Sequence, residues 1–311
     1  MIPDLKNRVL KEVSKVVIGR EKEITLLLTC LLARGHALLE GVPGTSKTLV
    51  GKAFSRCLDL SFKRIQFTPD MLPLDIVGGF IFNMKSREFE FKEGPIFANI
   101  VLSDEINRAA PKIQSALLEA MQELQVTVEG HTSQLPRPFM VIATQNPLDF
   151  EGVYPLPESQ LDRFMMKIEF AYPKHDEQND IIRRNLSELD VSVVEKVISN
   201  TELISMFEDV DHVNVSSDMI NYVSQLTELT RSDSRIGLGA SPRAAVQIVQ
   251  SARAHAVLQG RNYVSPEDVK AVGENVLSHR IRIDRGIALR GTVKTPSVLI
   301  SEILDQVKPP R

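Results

Sequence analysis

The residues best suited to chemistry lie at positions 41–48, Gly-Val-Pro-Gly-Thr-Ser-Lys-Thr, between a short apolar run and a helical pattern. A glycine-rich turn between a strand and a helix directs backbone N–H groups and the positive end of the helix dipole at a phosphate chain. Lys47 would then reach the β- and γ-phosphates, and Thr48 would bind Mg²⁺. The residues predicted to contact nucleotide are Gly41, Val42, Pro43, Gly44, Thr45, Ser46, Lys47, Thr48 and Leu49.

One position of this turn departs from the strict phosphate-binding pattern. Ser46 stands where that pattern has glycine, so close approach of the backbone to the phosphates is an assumption. An ordinary strand-to-helix turn is the alternative interpretation. The flanking strand and helix patterns argue against it, because they are the context that the motif requires.

A second group of candidate residues, two acids, follows an apolar run at 100–102 that predicts a strand. Asp104 at the tip of this strand could hold Mg²⁺ through water, while Glu105 could polarise the attacking water as a general base. Acidic residues end many strands, so this signal is weak alone. At the end of a core strand that follows Lys47, it completes a Walker A and Walker B pair.

Two more polar residues follow later strands. Asn146, in Ala-Thr-Gln-Asn-Pro at 143–147, would orient the attacking water, with a turn-forming Asn before Pro as the alternative. Arg163 precedes the fifth predicted strand. The residues alone favour a surface ion pair of Arg163 with Asp162 or Glu158.

Five short strands are predicted to position these groups, at 36–40, 62–67, 99–102, 139–143 and 165–170. Several are continuous apolar runs, typical of a parallel sheet covered on both faces. Such a sheet binds its ligands at the carboxyl ends of its strands. Strand signals stop after this region, and successive amphipathic helices follow. We therefore expect an α/β nucleotide-binding core over 1–174 and an all-α domain over 175–311.

Two hairpins are expected to interrupt the core. Residues 80–84 and 88–91 alternate in polarity around Lys-Ser-Arg at 85–87, which predicts a hairpin inserted in the second helix. Residues 125–132 predict a second hairpin before the fourth core strand.

Composition excludes several classes of protein. The chain of 311 residues has 37 Lys and Arg against 40 Asp and Glu, a formal net charge of -3, so a basic protein that coats nucleic acid is not expected. Cys30 and Cys57 suit an apolar core. The sequence contains no H-x-x-x-H pair, so it gives no indication of a zinc site. We therefore expect any metal ion to bind together with a ligand. Residues 24–33 are too short to span a membrane and no signal peptide is evident, which predicts a cytoplasmic protein.

Together these residues resemble a MoxR-type ATPase of the AAA+ superfamily, over nearly the whole chain. The most specific stretches are 41–48, 93–102, 104–109, 117–123, 143–147 and 161–164. The resemblance implies an AAA+ P-loop core with a five-stranded parallel sheet and a helical lid. It further implies a ring, usually a hexamer, with ATP or ADP and Mg²⁺ bound at each subunit boundary.

The resemblance also implies roles for single residues. Arg163 becomes an arginine finger that completes a neighbour's site, and Asn146 matches sensor 1. Arg243, in Ser-Pro-Arg-Ala at 241–244, resembles sensor 2 and should approach the γ-phosphate, in cis or in trans. The alternative for Arg243 is a surface arginine after a proline in the first helical turn. Ile18 and Gly19 resemble the segment that packs on adenine.

The two hairpins match insertions of the helix-2-insert branch of AAA+ proteins, where such hairpins often face the pore or a client. Simple packing at an edge is the alternative. In the lid, Ser265 and Asp268 form a capping-box pattern that begins a helix. Residues 279–285 with Arg290 are basic, and a solvated helix end is favoured there over a nucleic-acid contact.

The resemblance leads to the hypothesis of Mg²⁺-dependent ATP hydrolysis that drives chaperone-like remodelling or maturation of a protein client. Mg²⁺ and Lys47, with Arg243 and a neighbour's Arg163, would stabilise charge on the transferred phosphoryl group. Glu105 and Asn146 would position the water. A partner with a von Willebrand factor A domain is implied as well.

Two alternative functions are open at this point. A nucleic-acid-stimulated motor would use Lys85, Arg87 and Lys92 of the first hairpin to grip a phosphate backbone, although the charge balance makes nucleic acid an unexpected partner. A nucleotide-dependent switch with little turnover would leave Glu105 or Arg163 idle.

Overall fold

A computed structural model of the chain describes residues 4–42, 44–146, 153–185, 190–284, 286–287 and 295–310. Its centre is a parallel sheet of the strands β1 (Ala37–Gly41), β2 (Phe62–Gln66), β5 (Ile100–Asp104), β8 (Met140–Gln145) and β9 (Met166–Phe170). The strand order is β2-β5-β8-β1-β9. The five predicted strands are confirmed, and none of their ends differs from the prediction by more than two residues.

The central strands are buried on both faces, as their apolar runs predicted. In β1, Ala37 and Leu39 belong to one hydrophobic cluster, whereas Leu38 belongs to a second cluster on the opposite face. In β8, Ile142 and Val141 divide between the same two clusters. Successive side chains of a strand point to opposite faces, so each central strand supplies both layers of the core.

Helices cover both faces of the sheet. The helices of the first half are α1 (Leu5–Val13), α2 (Glu21–Leu32), α3 (Lys47–Cys57), α4 (Pro73–Val77), α5 (Pro111–Glu123), α6 (Glu158–Leu161) and α7 (His175–Asn185), with 3-10 turns at Ile106–Arg108 and Val191–Val193. The apolar faces of α1, α2 and α3 enter the cluster that contains Leu39. Helix α5 packs against the other face, through side chains such as Leu117.

Both predicted hairpins are present as two-stranded antiparallel sheets. The first consists of β3 (Gly78–Asn83) and β4 (Glu88–Glu93), and follows α4 directly. The second consists of β6 (Gln125–Val128) and β7 (His131–Gln134), and connects α5 to the central sheet.

The second half forms a helical lid of α8 (Asn200–Asp211), α9 (Ser217–Ser232), α10 (Pro242–Leu258), α11 (Pro266–Leu277) and α12 (Pro296–Gln306). Side-chain caps begin these helices, including the predicted capping box, in which the Ser265 N–H donates to Asp268 at 2.8 Å. The lid also contains an unpredicted antiparallel pair of β10 (Ile236–Leu238) and β11 (Arg282–Ile283). The domain boundary at 174/175 stays a prediction. In the described ranges, no helix is long and apolar enough to cross a membrane.

Candidate active site

The turn between β1 and α3 holds the predicted phosphate-binding lysine against its own backbone. The Lys47 ammonium donates to the carbonyl of Gly41 at 2.6 Å and to that of Val42 at 3.1 Å. The hydroxyl of Thr45 donates to the Val42 carbonyl at 2.9 Å, which closes the turn. Pro43 lies outside the described residues. The turn therefore places a cation at the carboxyl end of β1, between β8 and β9 in the sheet.

Three charged side chains act on the pKa of Lys47. Partial burial lowers the pKa of Lys47, and the neighbouring Arg20 adds to this effect, whereas Asp104 and Glu105 oppose it. Arg20 is itself buried, paired with Glu23 at 2.8 Å. Asp104, Glu105 and the lysine of the turn thus share one electrostatic environment.

Ser46 adopts the backbone conformation that the strict motif assigns to glycine. Its φ is 63°, in the left-handed region, and it is the residue immediately before α3. An L-residue in this region costs roughly 1–2 kcal/mol. Gly44, two residues earlier, has a φ of 80°. The turn therefore keeps a glycine-like conformation at Ser46, and the chain tolerates strain there.

A cavity of about 460 Å³ opens between this turn and the ends of the neighbouring strands. This volume lies within the usual range for small-molecule sites. The residues that line it are Gly41, Gly44, Thr45, Ser46, Lys47, Thr48, Leu49, Arg64, Gln66, Asp104, Glu105, Thr144, Gln145 and Asn146. The structure thus brings together most of the predicted turn, Asp104, Glu105 and Asn146, whereas Val42 is not among the lining residues.

Asp104 ends β5 and is held from both sides. Its Oδ1 accepts the Thr144 hydroxyl at 2.6 Å, and its Oδ2 accepts Arg64 Nε at 3.1 Å and Nη2 at 2.6 Å. Thr144 comes from β8 and Arg64 from β2, the two strands that flank β5. The carboxylate is therefore oriented by its neighbours in the sheet before any ligand is considered.

Glu105 follows in a left-handed conformation, with a φ of 59°. Its N–H donates to the Thr144 hydroxyl at 2.9 Å, so one threonine orients both acids. Its Oε2 accepts Gln66 Nε2 at 3.2 Å and lies 3.0 Å from Arg108 Nε. Strained backbone of this kind occurs often at functional sites, where the surrounding structure must hold it.

The predicted arginines do not line this cavity. Arg163 is half-buried and forms no ion pair with any residue in the ranges that the structure describes. Its two expected partners are bound elsewhere, since Asp162 pairs with Arg280 at 2.8 Å and Glu158 pairs with Arg282. The surface ion pair that the residues alone favoured for Arg163 is therefore absent from the described structure.

Arg243, in the first turn of α10, is 49% exposed, and its Nη1 lies 3.8 Å from Asp162 Oδ2. Asp162 immediately precedes Arg163 in the chain. Arg243 thus contacts the residue that precedes Arg163, and neither arginine lines the cavity of its own subunit.

The segment expected to pack on adenine also lies outside the cavity lining. Ile18 and Gly19 are half-buried, and Gly19 has a φ of 68°. The left-handed φ favours glycine at this position, and a Cβ there would also displace the carboxylate of Glu177 in α7, whose carbon would lie 2.5 Å away. The segment precedes Arg20, whose charge acts on Lys47.

The sequence interpretation missed four cavity residues: Arg64 and Gln66 of β2, and Thr144 and Gln145 of β8. The signal was present, because both strands were predicted and carboxyl ends of adjacent parallel strands meet at one edge. Gln145 also donates to Glu40 at 2.8 Å, and Glu40 pairs with Lys167 at 2.7 Å. This chain of contacts links three adjacent strands beside the cavity.

Comparison with known protein families assigns this fold to one class of ATPase. Residues 36–166 match the ATPase family associated with various cellular activities (AAA), and residues 228–302 match the AAA lid domain. The crystal structure of a protein from Cytophaga hutchinsonii has a TM-score of 0.91 and 39% identity, covering 99% of this chain and 96% of that one.

Similar proteins narrow the class to one family. Chaperone MoxR1 of Mycobacterium tuberculosis is 41% identical, over 98% of this chain and 82% of that protein. Protein YeaC of Bacillus subtilis is 41% identical over 98% of this chain and 95% of its own length, and protein MoxR of Methylorubrum extorquens is 28% identical over 96% and 94%. The chain belongs to the MoxR family of AAA+ ATPases, so the predicted family, fold class and ATPase activity are confirmed.

Proposed function

We propose that this ATPase assembles as a ring, usually of six subunits, and hydrolyses ATP at sites that a neighbouring subunit completes, in order to remodel a protein client. The observation that carries the proposal is the division of the polar groups. The cavity gathers Lys47, Glu105 and Asn146, whereas Arg163 and Arg243 lie outside it. A second subunit that brought its arginines to this cavity would complete it.

The cavity suits a nucleotide with its magnesium ion. Apart from the chain neighbours of Gly44, none of the described residues has an atom within 4 Å of the position where a Cβ would stand on Gly44, which leaves room for phosphate beside the turn. The Thr48 hydroxyl and the Asp104 carboxylate are hard oxygen ligands, the type that Mg²⁺ prefers, and both line the cavity. When bound, Mg²⁺ neutralises charge on the phosphates. We propose that Ile18 and Gly19 contact the adenine.

The chemistry in this proposal belongs to the side chains of the strand ends. Lys47 binds the phosphates, in exchange for its contacts with the turn carbonyls. Glu105 accepts the proton of the attacking water, while Asn146 orients that water. Gln66 and Arg108 hold the Glu105 carboxylate at the cavity edge. Preorganised groups of this kind stabilise charge that develops during phosphoryl transfer.

We propose that Arg163 and Arg243 act together in trans. The ground for this proposal is that Arg243 Nη1 lies 3.8 Å from the carboxylate of Asp162, the residue before Arg163. A guanidinium supplied by a neighbour contributes roughly 10³–10⁵ to the rate of phosphoryl transfer in known systems. An isolated subunit should therefore turn over slowly.

The first hairpin supports contact with a protein client. Its register pairs Phe80 with Phe91 and Phe82 with Phe89, so all four rings lie on one face. His131 of the second hairpin contacts the rings of Phe80 and Phe91. The outer pair is left open, with Phe82 49% and Phe89 69% exposed.

We define this aromatic stripe as Phe80, Phe82, Phe89 and Phe91. Met84 follows β3 at the turn of the hairpin, beyond the exposed pair of Phe82 and Phe89, and is 81% exposed. Exposed apolar surface of this kind fits an apolar polypeptide segment. The resemblance to MoxR proteins is the ground for proposing, in addition, a partner with a von Willebrand factor A domain.

A concentration series tests the assembly. ATP turnover per subunit is measured with Mg²⁺ while the solution mass is recorded at each protein concentration. We expect turnover per subunit to rise with mass, and Arg163→Ala to abolish the rise. Arg183→Ala is the matched control, because Arg183 is exposed and pairs only with Asp180 among the described residues. Flat turnover in an assembled ring would contradict the proposal.

A nucleic-acid motor is tested in the same assay. Lys85, Arg87 and Lys92 are exposed on the first hairpin, which would be their place in that alternative. The same hairpin also exposes Phe82, Phe89 and Met84, and these apolar side chains do not complement a phosphate backbone. We expect single-stranded DNA to leave ATP turnover unchanged. Stimulation that falls steeply with salt would favour the motor instead.

A further inference from the structure

The segment that contains Arg163 is gripped by the lid of its own subunit. Arg280, between α11 and β11, has a side chain only 1% exposed. Its Nε donates to Asp162 Oδ1 at 2.8 Å, and its Nη2 donates to the Asp162 carbonyl at 3.2 Å and to the Phe164 carbonyl. One guanidinium therefore contacts the residues on both sides of Arg163.

The rest of this guanidinium is also used. Nη1 donates to the Met165 carbonyl at 3.1 Å and to the carbonyl of Val276, and Nη2 donates to the Gln247 side chain. Burial lowers the pKa of Arg280 to about 10, with Asp162 opposing this effect, so the group remains a cation at neutral pH. His279 adds a further contact, through its Nε2 at 3.0 Å from the Phe164 carbonyl.

Asp162 joins the same segment to a second lid helix. Its carboxylate oxygens lie 3.4 Å from the hydroxyl of Ser241, the residue that caps α10. They also face Arg243 Nη1, at 3.8 Å. A carboxylate at a helix N-terminus is stabilised by the helix dipole. Asp162 therefore lies between two separate parts of the lid.

Stability alone does not account for this arrangement. Replacing a buried ion pair by apolar side chains of similar volume is often neutral or stabilising, because both charges have been removed from water. A buried pair does, however, fix a geometry, since a planar guanidinium satisfies its donors only in one orientation. The geometry fixed here is that of the backbone around Arg163.

We propose that Arg280 is a positioning residue for Arg163, so that the lid of one subunit sets where its arginine finger stands in the neighbour's active site. This inference rests on the proposed function, in which Arg163 acts in trans. A lid that moves with the nucleotide of its own subunit would then move the finger as well. Each subunit's nucleotide state would reach the next subunit through Asp162 and Arg280.

Mixed rings separate this role from a merely structural one. A donor subunit carries Glu105→Gln, which disables its own site but keeps its finger. An acceptor subunit carries Arg163→Ala, which keeps its own site but lacks the finger. Mixing the two should restore ATP turnover at interfaces where a donor faces an acceptor, and the solution mass shows that mixed rings form.

Arg280→Lys is then added to one subunit type at a time. On the donor, we expect restored turnover to fall about tenfold or more, since a displacement near 1 Å can cost 10²-fold in rate. On the acceptor, Arg280→Lys should change the restored turnover by no more than about twofold. The acceptor already lacks Arg163, so a displacement of its backbone there moves no catalytic group. Nucleotide affinity of the Arg280→Lys subunit should be unchanged.

Arg261→Lys is the matched control. Arg261 is another lid arginine, paired with the buried Asp268 at 2.6 Å. Within the described part of the chain, its side chain forms hydrogen bonds with Asp268 and Tyr263 and none with residues 161–165. It should give the same turnover on the donor as on the acceptor. If Arg280→Lys subunits do not fold, Asp162→Asn is measured on the donor in their place, because it removes the same ion pair without burying new bulk.

The outcomes separate the two proposals. Mixed rings without any restored turnover would overturn the trans arrangement, and the inference about Arg280 with it. Restored turnover that Arg280→Lys lowers equally on either subunit, or on neither, would overturn the inference alone. A loss confined to the donor supports it.

Discussion

The two sides of the proposed active site are built differently. The cavity side is made by the ends of β1, β5 and β8, where Thr144 orients two acids and the turn carbonyls hold Lys47. The Arg163 side is held by the lid, through Arg280 and His279. The sheet thus orients the groups proposed to bind nucleotide and activate water, whereas lid residues hold the backbone on both sides of Arg163.

This difference separates binding from turnover. A change on the cavity side should affect the subunit that carries it. A change on the Arg163 side should affect turnover without affecting that subunit's own affinity for nucleotide.

Replacing Lys47 and replacing Arg163 should give similar losses of turnover for different reasons. Lys47→Ala should abolish nucleotide binding, because it removes the cation of the turn. Arg163→Ala should lower turnover about 10³-fold or more and leave binding intact. Turnover and titration with a fluorescent ADP analogue measure the two effects. Equal loss of nucleotide affinity in both variants would indicate that Arg163 contacts the nucleotide of its own subunit. It would contradict the difference between the two sides of the site.

Glu105→Gln should act on the cavity side without loss of ATP. Removal of a general base lowers the rate by roughly 10²–10⁴. The amide is nearly isosteric, so bound ATP should accumulate, which rapid filtration with labelled ATP would detect. Gln66→Ala serves as the comparison, since it removes a hydrogen bond to Glu105 and leaves the base. Unchanged turnover of Glu105→Gln would instead favour the nucleotide switch.

Acid should weaken the sheet that supports the cavity. His36 is buried, accepts the Val141 N–H at Nδ1 and donates from Nε2 to the Met121 carbonyl, each at 3.0 Å. Burial lowers the pKa of His36 from 6.5 to about 4, with the hydrogen bond to Met121 opposing it. The folded state therefore binds fewer protons than the unfolded state between these values, and stability falls as pH falls through this range.

The expected contribution of His36 is a loss of about 2 kcal/mol in the free energy of unfolding between pH 7.5 and pH 5. Urea titrations at several pH values measure it. His36→Gln should flatten this part of the pH dependence, even where the variant is less stable at pH 7.5. An unchanged slope would show that His36 does not titrate in this range.

The smallest effect concerns the strained turn. Ser46→Gly should raise the free energy of unfolding by up to about 1 kcal/mol, because relief of left-handed strain exceeds the added entropy of glycine. Gly44→Ala should lower it by about 1 kcal/mol, since Gly44 has a φ of 80° and open space for a Cβ. Opposite signs in urea titrations would confirm that backbone strain, not contact, distinguishes these positions.

The sequence was sufficient for most of the cavity side. Continuous apolar runs predicted the five strands, and the spacing of turn, acids and Asn146 predicted groups that the sheet does bring together. Those signals are local, because each lies at the end of one strand. Arg64 and Gln66 were missed since an edge strand with a polar face gives no motif, although its carboxyl end meets the same cavity.

The Arg163 side depends on contacts between distant parts of the chain. The basic segment 279–285 was interpreted as a solvated helix end, which is wrong for His279 and Arg280, both buried. Their burial follows from lid packing against residues 162–165, more than 110 positions earlier in the chain. The pair of β10 and β11 has the same origin, because neither short segment has a strand pattern without its partner.

The aromatic stripe has a consequence for the solubility of the free subunit. A two-stranded ribbon has two open edges, and exposed rings beside open edges favour aggregation. Charged side chains surround the stripe on the same hairpin: Lys85, Arg87, Glu88, Glu90 and Lys92. Such residues oppose edge-to-edge pairing of identical ribbons. The hairpin can therefore keep an apolar surface exposed for binding while its flanking charges limit self-association.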